Sequence, residues 1–170
     1  VFAQTGVDLE CVVIDQSSEP IESHLPPGVI YRHLCKTNIA PGWYKSWANN
    51  IGARTATGDI LIFHDGDICA PTRYAHEVRE TLTTRGYDAA SLQRFLFYLS
   101  PADTARLETN HRFTGRETPL RVYQNWKGGT IAIRRDKFFE LGGFDEGFVD
   151  WGGEDDEFFD RCRGVKHCRY

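Results

Sequence analysis

The chain has 170 residues, of which 41% are apolar and 26% charged, with a formal net charge of −4. That length suits one domain with a real core. The acidic balance and the lack of a basic patch exclude an electrostatic case for nucleic acid, and no window approaches a membrane span. Methionine is absent even at position 1, so both ends are read as open to truncation, and no signal peptide is visible. The five cysteines have neither paired count nor metal-ligand spacing, which fits a reducing compartment. The expected location is the cytoplasm, with any membrane association left to segments outside this sequence.

Residues 9–14, Leu-Glu-Cys-Val-Val-Ile, read as a buried strand ending on Asp15 and the polar turn Gln16 to Pro20. Asp15 has two readings, a ligand contact at a strand end and a turn-former bonding its own backbone. Pro26-Pro27-Gly28 is a turn, residues 29–31 are a short strand, and 38–42 are a loop. Residues 43–56 read as a helix with Trp43, Trp47 and Ile51 on a core-packing stripe. Asn50 and Arg54 share another face of it, and Gly58 is its expected C-cap.

Ile60-Leu61-Ile62-Phe63 then forms a run apolar on both faces, the pattern of a strand inside a parallel sheet. It stops at His64-Asp65-Gly66-Asp67. In open α/β sheets ligands lie outside the carboxyl ends of strands. Asp65 and Asp67, one residue apart, can offer oxygens to one hard cation, while Gly66 leaves room for a bulky group such as a diphosphate. A helix follows Pro71 with Tyr74, Val78 and Leu82 inward, closed by Arg85-Gly86. Residues 89–99 read as one strand, 101–109 as a short helix, and 110–125 as a loop or lid.

Trp126-Lys127-Gly128-Gly129 leads into a strand over 130–133, and Asp136 caps a short helix through Leu141. Gly142-Gly143-Phe144-Asp145 ends that helix. Trp151-Gly152-Gly153 opens a last one, with Phe158 and Cys162 inward. Its acidic start, Glu154-Asp155-Asp156-Glu157, can serve chemistry or simply complement the helix dipole. The alternation of strands and helices predicts an α/β fold, a mostly parallel sheet flanked by helices in a single domain over 1–170.

Three motifs in this order resemble those of inverting nucleotide-sugar glycosyltransferases with the GT-A fold, family 2 type. They are also similar to the carboxyl-terminal part of β-galactosyltransferases and N-acetylgalactosaminyltransferases. The motifs are Val12-Val13-Ile14-Asp15; Asn50-x-Gly52-x-x-x-Ala56-x-Gly58-Asp59 running into Asp65-Gly66-Asp67; and Gly142-Gly143-Phe144-Asp145 followed by Trp151-Gly152-Gly153-Glu154-Asp155. The resemblance implies a nucleotide-sugar-binding half over 1–100 and an acceptor-binding, catalytic half over 101–170. It places Asp15 on the nucleotide base and Asn50, Arg54, Asp65, Gly66 and Asp67 at the nucleotide sugar.

By the same resemblance Asp67 and Asp65 hold Mn²⁺ or Mg²⁺, Asp67 as the better ligand and Asp65 through water or on the ribose instead, with His167 a weaker third ligand. Asp155 is the general base and Glu154 holds the acceptor sugar, while Trp126 and Trp151 stack on sugars and Gly128 and Gly129 let the acceptor approach. The family's first strand is missing, and His167 comes early for the family's metal-binding histidine. The implied partners are a nucleotide-sugar donor, UDP rather than GDP, and a saccharide or other hydroxyl acceptor. Oligomeric state is left open. Two alternatives stand beside this reading: a sugar-1-phosphate nucleotidyltransferase, and a non-catalytic nucleotide- or sugar-binding domain.

Overall fold

The computed structural model describes residues 3–34, 42–110 and 113–170. The loop expected over 38–42 lies, apart from Gly42, outside them. By contacts the chain divides into two compact units, one of residues 1–92 with 127–169 and a second of 93–126 with Tyr170. The second is therefore an insertion in the first, a partition distinct from the functional halves expected about residue 100. No helix among the described residues is long and apolar enough to cross a membrane.

In the first unit, β1 (Cys11–Asp15) pairs in parallel with β2 (Val29–His33), Cys11 opposite Val29. A four-stranded sheet follows the order β3-β7-β4-β8, where β3 is Ile60–His64, β4 Ala89–Ser91, β7 Thr130–Arg134 and β8 His167–Arg169. α/β is the class, but the sheet is mixed rather than mostly parallel. β7 runs antiparallel to both neighbours, with Leu61 opposite Ile133 and Ala90 opposite Ala132, and only β4 and β8 run parallel. An apolar run reports burial on two faces, not direction.

That burial is real on both faces. Leu61, Ile131, Ile133 and Ala89 pack with Ala53, Phe138, Phe144, Phe158, Phe159 and Cys162. The alternate residues, Ala132 and Ala90, pack with Val78 and Leu82 of α2 (Tyr74–Thr83), and Ile60, Ile62 and Tyr74 join them. Period-two alternation thus sends each strand's neighbours to opposite cores. α4 (Arg135–Glu140) contributes Phe138, and α5 (Glu154–Arg161) contributes Phe158, whose ring stacks on Phe144 at 4.2 Å.

The first helix, α1, spans Lys45–Thr55 and buries Ser46, Ala48, Asn50 and Ala53 rather than the tryptophan stripe; Trp43 lies before it and is exposed. Small residues and the hydrogen-bonded Asn50 make up the buried face. Ala56, not Gly58, is its C-cap. The end is held instead by Arg135 Nη1, which donates to the carbonyls of Ala53 and Ala56, and by the Glu10 carboxylate, which accepts from the Thr57 and Gly58 N–H groups. A cation on the last carbonyls complements the helix dipole.

The second unit corrects two sequence-based expectations. The strand expected over 89–99 is two strands in different sheets, β4 and β5 (Phe95–Tyr98). The expected loop 110–125 contains β6 (Arg121–Gln124), antiparallel to β5 with Phe97 opposite Val122. α3 (Pro101–Asn110) buries no residue. Of the described cysteines Cys11, Cys69, Cys162 and Cys168 are all free, so Cys162 and Cys168 do not pair.

Candidate active site

The end of β3 sets the site. His64 pairs with Thr130 on β7, and the Asp65 N–H donates to the Gly129 carbonyl at 2.8 Å, fixing Asp65 beside the Gly128-Gly129 turn. Gly129 has φ +94°, a backbone that favours glycine. The Asp65–Ile68 turn closes through Ile68 N–H on the Asp65 carbonyl at 3.1 Å, and His64 Nε2 lies 2.9 Å from the Ile68 carbonyl. Asp67 is exposed at its tip. A Cβ added at Gly66 would meet nothing within 4 Å, so the open space expected there exists.

α5 brings the second group of carboxylates. Gly153, its N-cap, has φ +93°, and a Cβ there would lie 2.7 Å from the Phe148 ring. Phe158 pins the helix into the aromatic core, and Asp155, three residues earlier, lies along the same face. Glu154 is 5% exposed, with Oε2 buried and without a hydrogen-bond partner among the described residues.

Lys45 joins the two groups. Its Nζ lies 3.0 Å from Asp65 Oδ1, 2.8 Å from Asp155 Oδ2 and 3.4 Å from Glu154 Oε1. Burial opposes its charge, but Asp155 and Asp65 outweigh burial and hold the amine well above its usual range. For Asp155, burial pushes the carboxyl up; Lys45 pulls it down, Asp65 and Glu154 push with burial, and the net shift is upward. A carboxylate raised this way is better suited to taking a proton near neutral pH. Sequence reasoning missed Lys45. The available signal was its place: a cation in the first turn of a helix opposes the dipole.

Three expected ligand contacts have other partners. Asp15 is 6% exposed, and its carboxylate accepts from the Ser17 N–H and hydroxyl, the Ile21 N–H and the Tyr31 hydroxyl. Burial alone would raise its pKa, but those donors hold it well below the usual range. The turn-forming reading is the one this geometry serves. Asn50 is buried: its Nδ2 donates to the Phe144 carbonyl at 2.9 Å and to Glu146, and its Oδ1 accepts the Phe144 N–H at 2.9 Å. It clamps the Gly142–Glu146 loop. Exposed Arg54 faces Glu146 across 3.9 Å, in a cleft with Phe139 and Gly142.

His167 is not brought to the turn. It pairs with Ala89, in a row that crosses Ile133 to Leu61, three strand spacings or about 14 Å away. Its Nε2 meets Ser91 Oγ at 2.9 Å, and burial, with Arg169, pushes it down to about 4. Trp151 is 89% exposed beside the α5 turn. Trp126 belongs to the second unit, its ring 5.1 Å from Tyr123.

The donor set fits a hard divalent cation: Asp65 and Asp67 offer carboxylate oxygens beside the unfilled space at Gly66. Comparison with known proteins supports the frame. A family model described as the N-terminal domain of galactosyltransferase matches residues 115–169. The chain is 31% identical over 91 residues to beta-1,4-galactosyltransferase 7 of Drosophila melanogaster, covering 54% of this chain and 27% of the relative. It is 30% identical over 131 residues to a probable N-acetylgalactosaminyltransferase 7 of Caenorhabditis elegans, covering 63% and 22%. The chain thus spans about a quarter of the length of these curated relatives.

Among solved structures, a mannosyltransferase of Pyrobaculum calidifontis in complex with GDP-Man and Mn²⁺ aligns at a TM-score of 0.62 and 21% identity, over 99% of this chain and 48% of that one. GalNAc-T7 with UDP, GalNAc and Mn²⁺ aligns at 0.58 and 20%, over 94% and 36%. The chain shares the GT-A fold of these solved glycosyltransferases, and its relatives in sequence are galactosyl- and N-acetylgalactosaminyltransferases.

Proposed function

We propose that this chain carries the catalytic site of an inverting, metal-dependent glycosyltransferase that moves a sugar from a UDP-linked donor to a hydroxyl acceptor. The observation that carries the reading is the convergence of Asp65, Asp155 and Glu154 on one ammonium, which puts a donor-side carboxylate and a raised, base-competent carboxylate in one site.

A bound divalent ion, held by Asp65 and Asp67, would neutralise the leaving diphosphate. Asp155 accepts the acceptor hydroxyl's proton as that oxygen attacks the anomeric carbon. The bond to the diphosphate oxygen breaks on the opposite face, and the configuration inverts. Glu154 orients the acceptor through its buried carboxylate. Lys127, bound to Asp156 at 3.2 Å and Asp160 at 3.3 Å, braces α5 against the Gly128-Gly129 turn. The sequence likeness to a probable N-acetylgalactosaminyltransferase 7, together with the fold likeness to GalNAc-T7 holding UDP, supports a UDP-linked donor, although the mannosyltransferase of similar fold holds GDP-Man.

The test is turnover of UDP-sugars with Mn²⁺ or Mg²⁺ by the wild type and Asp155→Asn. A positioned base contributes on the order of 10²- to 10⁴-fold, so Asp155→Asn should lose at least 100-fold in turnover while nucleotide binding survives. Unchanged turnover would refute the base assignment.

A further inference from the structure

Lys45 has the wrong sign for the start of a helix, and its neighbours say why it is there. One ammonium answers three carboxylates from two separate segments, Asp65 at the end of β3 and Glu154 and Asp155 at the start of α5. Its side chain is only 18% exposed, so water does not do this work. The carboxylates of Asp65, Asp155 and Glu154 are arranged around the ammonium, while Asp67 is exposed at the tip of the turn. Among the described residues, the group of three metal-capable side chains whose ligand atoms lie within 4.8 Å of one another is His76, Glu77 and Glu80 on α2. In that group Glu77 and Glu80 are already engaged by Arg73 and Arg85. Asp65 and Asp67 offer two carboxylates, so the rest of an ion's coordination shell has to come from other ligands. A bare divalent ion arriving at the Asp65–Asp67 turn would compete for Asp65 with a resident cation 3.0 Å from its Oδ1, and two cations sharing one carboxylate repel.

A nucleoside diphosphate changes that balance. Its phosphate oxygens give the ammonium a second partner, and the same oxygens complete the coordination of the incoming ion. Building on the glycosyltransferase reading, we propose that Lys45 is a resident counter-ion that keeps a bare divalent cation out of the Asp65–Asp67 turn. Metal and nucleoside diphosphate then enter as one unit, the diphosphate drawing the ammonium off Asp65 and Asp155 as the ion arrives. Asp155 is released from its ion pair in the same event, so the base is freed only when the donor is in place. Lys45 thus positions the two carboxylates and orders their use.

The experiment is calorimetric titration of Mn²⁺ alone, UDP alone, and each in the presence of the other. It uses the wild type, Lys45→Gln and Lys45→Arg, with circular dichroism to confirm folding. In the wild type each ligand should tighten the other at least tenfold, by the same factor in both directions, as linkage requires. Lys45→Gln should bind Mn²⁺ alone at least tenfold more tightly than the wild type and lose most of the coupling, while Lys45→Arg, which keeps the charge, should retain it. Equal affinity of wild type and Lys45→Gln for Mn²⁺ alone, with Mn²⁺–UDP still bound, would overturn the proposal and leave the glycosyltransferase reading standing. Should Lys45→Gln fail to fold, the wild type decides alone, since coupling below threefold overturns the proposal. A folded wild type that binds no Mn²⁺–UDP overturns both.

Discussion

Replacing Gly143 with alanine tests whether Asn50 is a structural clamp rather than a ligand contact. Gly143 has φ +72°, and alanine in the left-handed region costs about 1–2 kcal/mol. The new Cβ would lie 2.6 Å from Asn50 Oδ1 and 3.3 Å from the Phe138 ring. Oδ1 is the acceptor for the Phe144 N–H at 2.9 Å in a buried setting, so pushing it away strands a buried donor at about 1–3 kcal/mol. The expected loss is about 2–5 kcal/mol. Neighbouring Gly142 has φ +86° but nothing within 4 Å of its Cβ, so Gly142→Ala carries the backbone strain alone, about 1–2 kcal/mol. The difference between the two reports the clash with Asn50 together with the tight approach to Phe138. In an Asn50→Ala background that difference should shrink to what the Phe138 contact leaves, since the amide is gone; a double-mutant cycle measures this. Urea unfolding of the single and double variants is the assay. Equal costs for the two glycines in the wild type, or a gap undiminished without Asn50, would refute the reasoning.

Two further predictions concern charge. The acid limb of the kcat/KM profile should lie above the ordinary aspartate value near 4, because burial outweighs the pull of Lys45 on Asp155. Lys45→Gln removes that pull and should move the limb higher still; a limb at or below the ordinary value would exclude Asp155 as the titrating base. Asp15 works the other way. Its folded pKa is lowered, so its contribution to stability is present above the ordinary carboxylate pKa and is lost as the pH falls toward the folded one. Asp15→Asn should therefore cost about 1–3 kcal/mol at pH 7 and flatten the acid slope, and Tyr31→Phe should destabilise the fold by less. Urea midpoints at pH 7 and pH 3 check both, and an unchanged slope in Asp15→Asn would contradict the network.

What was legible in the sequence was local. The Ile60 to Phe63 run, the Asp-Gly-Asp turn and the glycine-led start of α5 each declare themselves within a few residues, and each lies where it was expected. What was not legible depends on distant partners. Asn50 is buried because of Phe144 and Glu146, some 95 positions on, and nothing in its own helix says so. Asp15 is saturated partly by a tyrosine on the neighbouring strand. β7 gives no hint of its antiparallel direction, because a run covered on both faces looks the same either way. β5 was masked because Leu92 to Arg94 do not interrupt the apolar count enough to show that the chain changes sheets there.

The place where the second unit is inserted has a consequence for how this scaffold can be altered. β4 and β7 are adjacent and antiparallel, with Ala90 opposite Ala132, so the chain leaves the sheet after one strand and returns on its immediate neighbour. The ladder bonds that hold Asp65 beside Gly129 involve no residue of 93–126. That stretch is a cassette on a hairpin: doubling its length costs only about 0.6 kcal/mol of closure entropy, and its whole content can be exchanged while the carboxylate end of β3 keeps its register.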